Sequence, residues 1–127
     1  LQLEADNHAF YWLNSIETEK ARNFATSSFV NKWVYKEPNE ASQWVKGLPE
    51  GSQRDTAITS LTYAFDDAEP VYALGWASSI SNADTRKQVL QNTYVNWQRR
   101  DRAEAQRWLN SSNEVSPQQR EEWVKVR

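Results

Sequence analysis

Pro38-Asn39-Glu40-Ala41-Ser42-Gln43-Trp44-Val45-Lys46-Gly47-Leu48 and, 32 residues on, Pro70-Val71-Tyr72-Ala73-Leu74-Gly75-Trp76-Ala77-Ser78-Ser79-Ile80 are two settings of one pattern. In each, a proline opens the stretch, and Ala, Trp, a third apolar residue and Leu or Ile follow at i, i+3, i+4 and i+7. That spacing places them on one face of a helix. Proline suits a first helical residue, whose N–H has no intrahelical acceptor.

The same step of 32 extends in both directions. It joins Trp12, Trp44, Trp76 and Trp108, and it joins Ala9, Ala41, Ala73 and Ala105. Further columns are Ile16, Leu48 and Ile80; Arg22, Arg54 and Arg86; Trp33, Phe65 and Trp97; and Glu37, Glu69 and Asp101. Several independent columns in one register identify an internal repeat. Between the first-helix motifs lie breaker-rich connections, Leu48-Pro49-Glu50-Gly51-Ser52 in one unit and Ser81-Asn82 in another. A second amphipathic pattern then follows: Ala57, Leu61, Ala64 and Phe65, matched by Ala25, Phe29 and Trp33 and by Val89, Thr93 and Trp97.

The reading is therefore all-α: one domain over residues 1–127, built of about four two-helix units at roughly 1–32, 33–64, 65–96 and 97–127. An isolated pair cannot hide its apolar stripe, so the pairs are expected to stack as αα-hairpins in a short, right-handed-type α-solenoid. The last unit departs from the pattern. Ser112 replaces the aliphatic residue, and two extra residues precede Ser116-Pro117, which read as a fresh N-cap and first turn. Asp101 followed by Glu104 reads as an acidic capping box. The first unit has Leu1 and Asp6 where an aromatic residue and Pro would stand.

The pattern resembles a tetratricopeptide-type helical repeat along nearly the whole chain, on the spacings Ala41-Trp44-Val45-Leu48 and Ala57-Leu61-Ala64 and on Pro70 after the second helix. It departs in its period of 32 against about 34. A large Trp fills a position usually aliphatic, and Val45 or Leu13 stands where that family has a small residue, retained only as Ala77. The units are also similar to Trp-containing DP-x-x-A-x-x-W repeats of bacterial proteins, to which no activity is attached. The tetratricopeptide resemblance implies a scaffold that holds a peptide or partner protein in a concave groove.

Composition narrows the chemistry. With no cysteine, thiol catalysis, disulfides and zinc-thiolate sites are excluded. The single His8 lies in the least regular unit and reads as a solvent-exposed residue. No phosphate loop, nucleophile elbow or metal-ligand spacing is present, so no catalytic site, metal or cofactor is expected. A net charge of −2, with Arg99, Arg100 and Arg102 interleaved with acids, gives no basic stripe for nucleic acid. No apolar run approaches a membrane span. Seven Trp beside three Gly and four Pro suit aromatic-packed helices rather than a turn-rich β protein. A chain that starts with Leu and has no Met reads as an excised or matured piece.

Trp12, Trp44, Trp76 and Trp108 are expected in helix–helix interfaces, since each shares a face with Ala and an aliphatic residue. Arg22, Arg54 and Arg86 have three readings: ion pairs with the Glu37, Glu69 and Asp101 column, caps on the carbonyls ending the first helix, or anion binding. Asp66, Asp67 and Glu69 read as a helix N-cap and a solvated loop. Residues that vary between units at equivalent places carry specificity in a scaffold. Tyr11, Gln43, Gly75 and Arg107 form one such column, and His8, Glu40, Tyr72 and Glu104 another. Tyr11, Gln43, Tyr72 and Arg107 are the expected partner-binding residues, on a protein or peptide partner. The rival readings are the non-catalytic superhelical region of a larger enzyme, such as one that cleaves cell wall, and a structural module that associates with its own copies.

Overall fold

The computed structural model describes residue 13, residues 18–113 and residues 115–125. Among them are seven α-helices and no strand. They are α1 Glu19–Lys36, α2 Pro38–Gly47, α3 Ser52–Phe65, α4 Pro70–Ser78, α5 Ala83–Arg100, α6 Arg102–Ser111 and α7 Pro117–Val124. Tyr11, Trp12 and His8 lie outside the described residues.

Longer helices (α1, α3, α5) alternate with shorter ones (α2, α4, α6), and α2, α4 and α6 begin 32 residues apart. The corner before each short helix is made by one residue, and it recurs. Glu37, Glu69 and Asp101 have φ/ψ of −141/74, −139/69 and −151/84. Their N–H groups donate back to Trp33, Phe65 and Trp97, each at 2.8 Å, closing the long helix. Their carbonyls accept from Ala41, Ala73 and Ala105 at 3.0, 2.9 and 3.1 Å, opening the short one. Pro38 and Pro70 occupy the first position beyond the corner, where no donor is lost. The breaks fall at 37, 69 and 101, so boundaries at 33, 65 and 97 pass through or at the end of a long helix.

Local signals set the other ends. Thr18, Asn82 and Ser116 accept from the backbone N–H three residues on, and Gln119 returns a side-chain acceptor to Ser116 N–H, completing a capping box. At Asp101 only half of the expected box forms. Its carboxylate accepts from Glu104 N–H, but the Glu104 side chain pairs with Arg107 instead. α3 starts after Gly51 at φ 153°, a conformation that only glycine adopts without strain.

Each long helix packs on the next long helix and on its short neighbours, and α7 closes against α5 and α6. The buried faces are those the spacing predicts. Ala41, Ala73 and Ala105 are fully buried, as are Leu13, Val45, Ala77 and Leu109 one turn on. One continuous core runs from Val30 and Trp33 through Ile58, Leu61 and Leu74 to Tyr94, Leu109 and Trp123. Trp76 is buried in it, while Trp44 and Trp108 are half-buried against it. Trp44 meets Phe29 and Trp33 edge-on at 5.7 and 6.0 Å, and Trp108 meets Trp97 at 6.1 Å. Core packing is thus the observed role of these three tryptophans.

Candidate functional site

The arginine column shows how a common register can yield different chemistry. Arg86 Nη1 donates to the Ile80 carbonyl at 2.8 Å, so it caps the end of α4. Arg120 does the same one unit later, beyond the strict 32-residue step because of the two extra residues before Ser116. Its Nε and Nη2 donate to the Leu109 and Ser112 carbonyls at 2.8 and 2.9 Å. Among the described residues Arg54 and Arg86 pair with neither Glu69 nor Asp101. Capping, not an ion-pair ladder, is what the second half of the column does.

Arg54 is the exception. It makes no hydrogen bond or ion pair among the described residues, and its Nε is buried without a partner. The connection before the helix differs. Arg22, Arg86 and Arg120 are each fourth after their N-caps Thr18, Asn82 and Ser116, whereas Arg54 is third after Gly51. The connection from Leu48 to Gly51 holds one residue more than that from Ile80 to Asn82. The helix faces keep register, since Ala57 and Leu61 are buried at the places of Val89 and Thr93. What differs is the turn that ends the short helix, extended at Leu48 (φ/ψ −70/144) and helical at Ser79 (−90/0). Asp55 takes the fourth position instead.

Arg54 lines an open cleft of about 440 Å³ between the end of α2, the start of α3 and the outer side of α4. Lys46 of α2 lines it too, and Val71, Tyr72, Gly75, Trp76 and Ser79 of α4 form the rest of the wall. No Asp or Glu lines the cleft. Tyr72 is 45% exposed, yet its ring is held edge-on by Phe65 at 4.9 Å and by Trp76 at 6.5 Å. It offers a fixed aromatic surface at little conformational cost. At Gly75 an added Cβ would meet nothing within 4 Å, so the missing side chain is part of what keeps the cleft open.

The expected partner-binding residues are placed unevenly. Gln43, Tyr72 and Arg107 are all exposed on short helices, but only Tyr72 reaches the cleft. Arg107 pairs with Glu104 on its own helix. Lys46 carried no pattern in the sequence, and Arg54 was legible only as a repeat position.

Of the acidic group at 66–69, Glu69 stands at the N-cap position of α4 and Asp67 is exposed, and only Asp66 departs from the expectation. Asp66 is no N-cap in a solvated loop: it is 8% exposed and ends α3. Its Oδ2 accepts from Asn96 Nδ2 at 3.2 Å, its carbonyl accepts from Arg100 Nη2 at 2.7 Å, and Asp67 pairs with Arg100 at 3.2 Å. Burial raises the Asp66 carboxyl above its ordinary 3.8, and neighbouring Asp67 adds to this, against the lowering effects of Asn96 and Arg100. The unfolded chain therefore ionises at lower pH than the folded one. Stability from this group is present below 3.8 and is lost as pH rises through the raised folded value. Asp66→Asn cannot ionise, so its urea midpoint should gain on that of the parent as pH rises from below 3.8 through the raised folded value. Parallel profiles would refute this role for Asp66.

No group of three or more His, Asp or Glu is placed to hold a metal ion among the described residues. No helix among them is long and apolar enough to cross a membrane. No protein-family model, no curated protein and no solved structure matches the chain.

Proposed function

We propose that this chain is a non-catalytic interaction scaffold, a right-handed α-solenoid of two-helix units that holds a peptide or protein partner on the side of its short helices. The observation that carries the reading is the open cleft beside α4, with a fixed aromatic wall and two cations, Lys46 and Arg54, that form no ion pair among the described residues. The recurring corner at Glu37, Glu69 and Asp101 supports the stacked-unit part of it, because equal corners at equal spacing generate equal steps. A repeat surface of this kind offers exposed side chains that vary between units on a buried frame that does not. Glu40, Tyr72 and Glu104 are such a set.

Selection of a phage-displayed random dodecapeptide library on the immobilised chain tests the reading. A recurring peptide consensus is expected, and its affinity should fall by about tenfold or more in Tyr72→Ala, roughly 1.4 kcal/mol. If no consensus emerges from repeated selections, the scaffold role is refuted.

A further inference from the structure

Resting on that scaffold reading, we infer that the cleft between α2, α3 and α4 recognises an acidic peptide segment, an Asp or Glu side chain with an apolar or aromatic residue beside it. Three observations converge on this occupant. The first is charge. Two cations, Lys46 and Arg54, line the cleft and no acid does, on a chain whose net charge is −2. Local charge opposite to the net charge selects a ligand by its own local charge. A nucleic acid, with a phosphate for about every 1.7 Å of duplex axis, would meet the acidic remainder of the surface. One carboxylate would not.

The second is the state of Arg54. Its Nε is buried and has no acceptor among the described residues. Its counterparts Arg86 and Arg120 are spent on backbone carbonyls. A planar guanidinium with free donors matches a carboxylate in two-point contact. The third is shape. Tyr72 and Trp76 give a wall for an apolar side chain, and Gly75 leaves the space between that wall and the two cations unfilled.

Gly75 also supplies the test. It lies inside α4, where Gly is the weaker helix former, and a Cβ there meets open space. Gly75→Leu should therefore fold at least as well as the parent, checked by far-UV circular dichroism, while filling the cleft. Peptides from the dodecapeptide selection are synthesised as C-terminal amides, which removes the terminal carboxylate, together with versions in which each Glu or Asp is replaced by Gln or Asn. Binding is read by fluorescence anisotropy at low and at moderate salt.

The expected result is a consensus containing Asp or Glu next to an apolar residue. Its affinity should drop by about tenfold or more when the acid becomes an amide, in Arg54→Gln and in Gly75→Leu, but by less than about threefold in Arg99→Gln, an exposed cation elsewhere. A consensus without an acid, or one insensitive to Gly75→Leu, overturns the cleft assignment and leaves the scaffold reading standing. Equal competition by a thymidine oligonucleotide also overturns it. Absence of any consensus removes both.

Discussion

Trp123→Ala detaches α7 and lowers stability by about 3–5 kcal/mol, the usual cost of truncating a buried Trp. Helix α7 has eight residues, too few to hold as an isolated helix in water. Trp123 is its one buried residue, fully enclosed and stacked on Tyr94 with ring centroids at 5.5 Å and planes 24° apart. Tyr94 is itself fully buried and lies 6.2 Å from Trp108, so the indole covers the end of the aromatic core. That covering lifts the Tyr94 phenol above its ordinary 10.0 by desolvation, against the pull of Arg102. Arg120, with its two bonds to the end of α6, sits on the same short helix. Losing Trp123 should free that cap as well.

The indole N–H of Trp123 has no partner in the core. Its burial carries a desolvation cost, so Trp123→Phe, which keeps much of the apolar contact and removes the donor, should lose only about 1 kcal/mol. Urea unfolding followed by near-UV circular dichroism separates the two variants. Should Trp123→Ala unfold within about 1 kcal/mol of the parent, α7 is an appendage rather than the cover of the core.

The architecture was legible because the repeat acts twice. It sets the apolar face of each helix, and it sets the residue at which the chain turns. Ala41, Val45 and Leu48 are buried where their spacing puts them, and Pro38 and Pro70 start helices where a missing donor costs nothing. The site was less legible, for a reason that lies in the connections. A column of equal spacing fixes the face a residue takes, but what it meets there depends on how the preceding connection is built. Arg54 and Arg86 share the face and differ in the connection before them. Asp66 misled for a related reason. A run of acids before a proline reads as a solvated loop, and only the packing of α5 against α3 brings Asn96 and Arg100 to cover it.

Asp55 carries a buried polar link from α3 to the turn before α5. Fourth after Gly51, it is 8% exposed and reaches the turn between α4 and α5. Its Oδ1 accepts from Ser81 N–H at 2.8 Å, its Oδ2 from Asn82 N–H at 3.0 Å, and the Ser81 hydroxyl lies within 2.9 Å of both oxygens. A carboxylate of α3 thereby satisfies two backbone donors just before α5. It also steadies Asn82, the cap of that helix, and Ile80, whose carbonyl Arg86 holds. In Asp55→Asn one acceptor oxygen becomes a donor amide aimed at a backbone N–H, and either Ser81 or Asn82 loses its partner. The expected cost is about 2–4 kcal/mol, because hydrogen bonds to a charged group are lost and a half-buried donor is stranded. The equivalent residue one unit earlier, Asn23, makes a single neutral bond to Ser52 Oγ at 3.2 Å. Asn23→Ala should therefore cost only about 0.5–1.5 kcal/mol. Urea unfolding of the two variants side by side decides the matter: equal losses would mean that the Asp55 clamp adds nothing beyond an ordinary turn, and that the α3 to α5 junction is held by its apolar contacts alone.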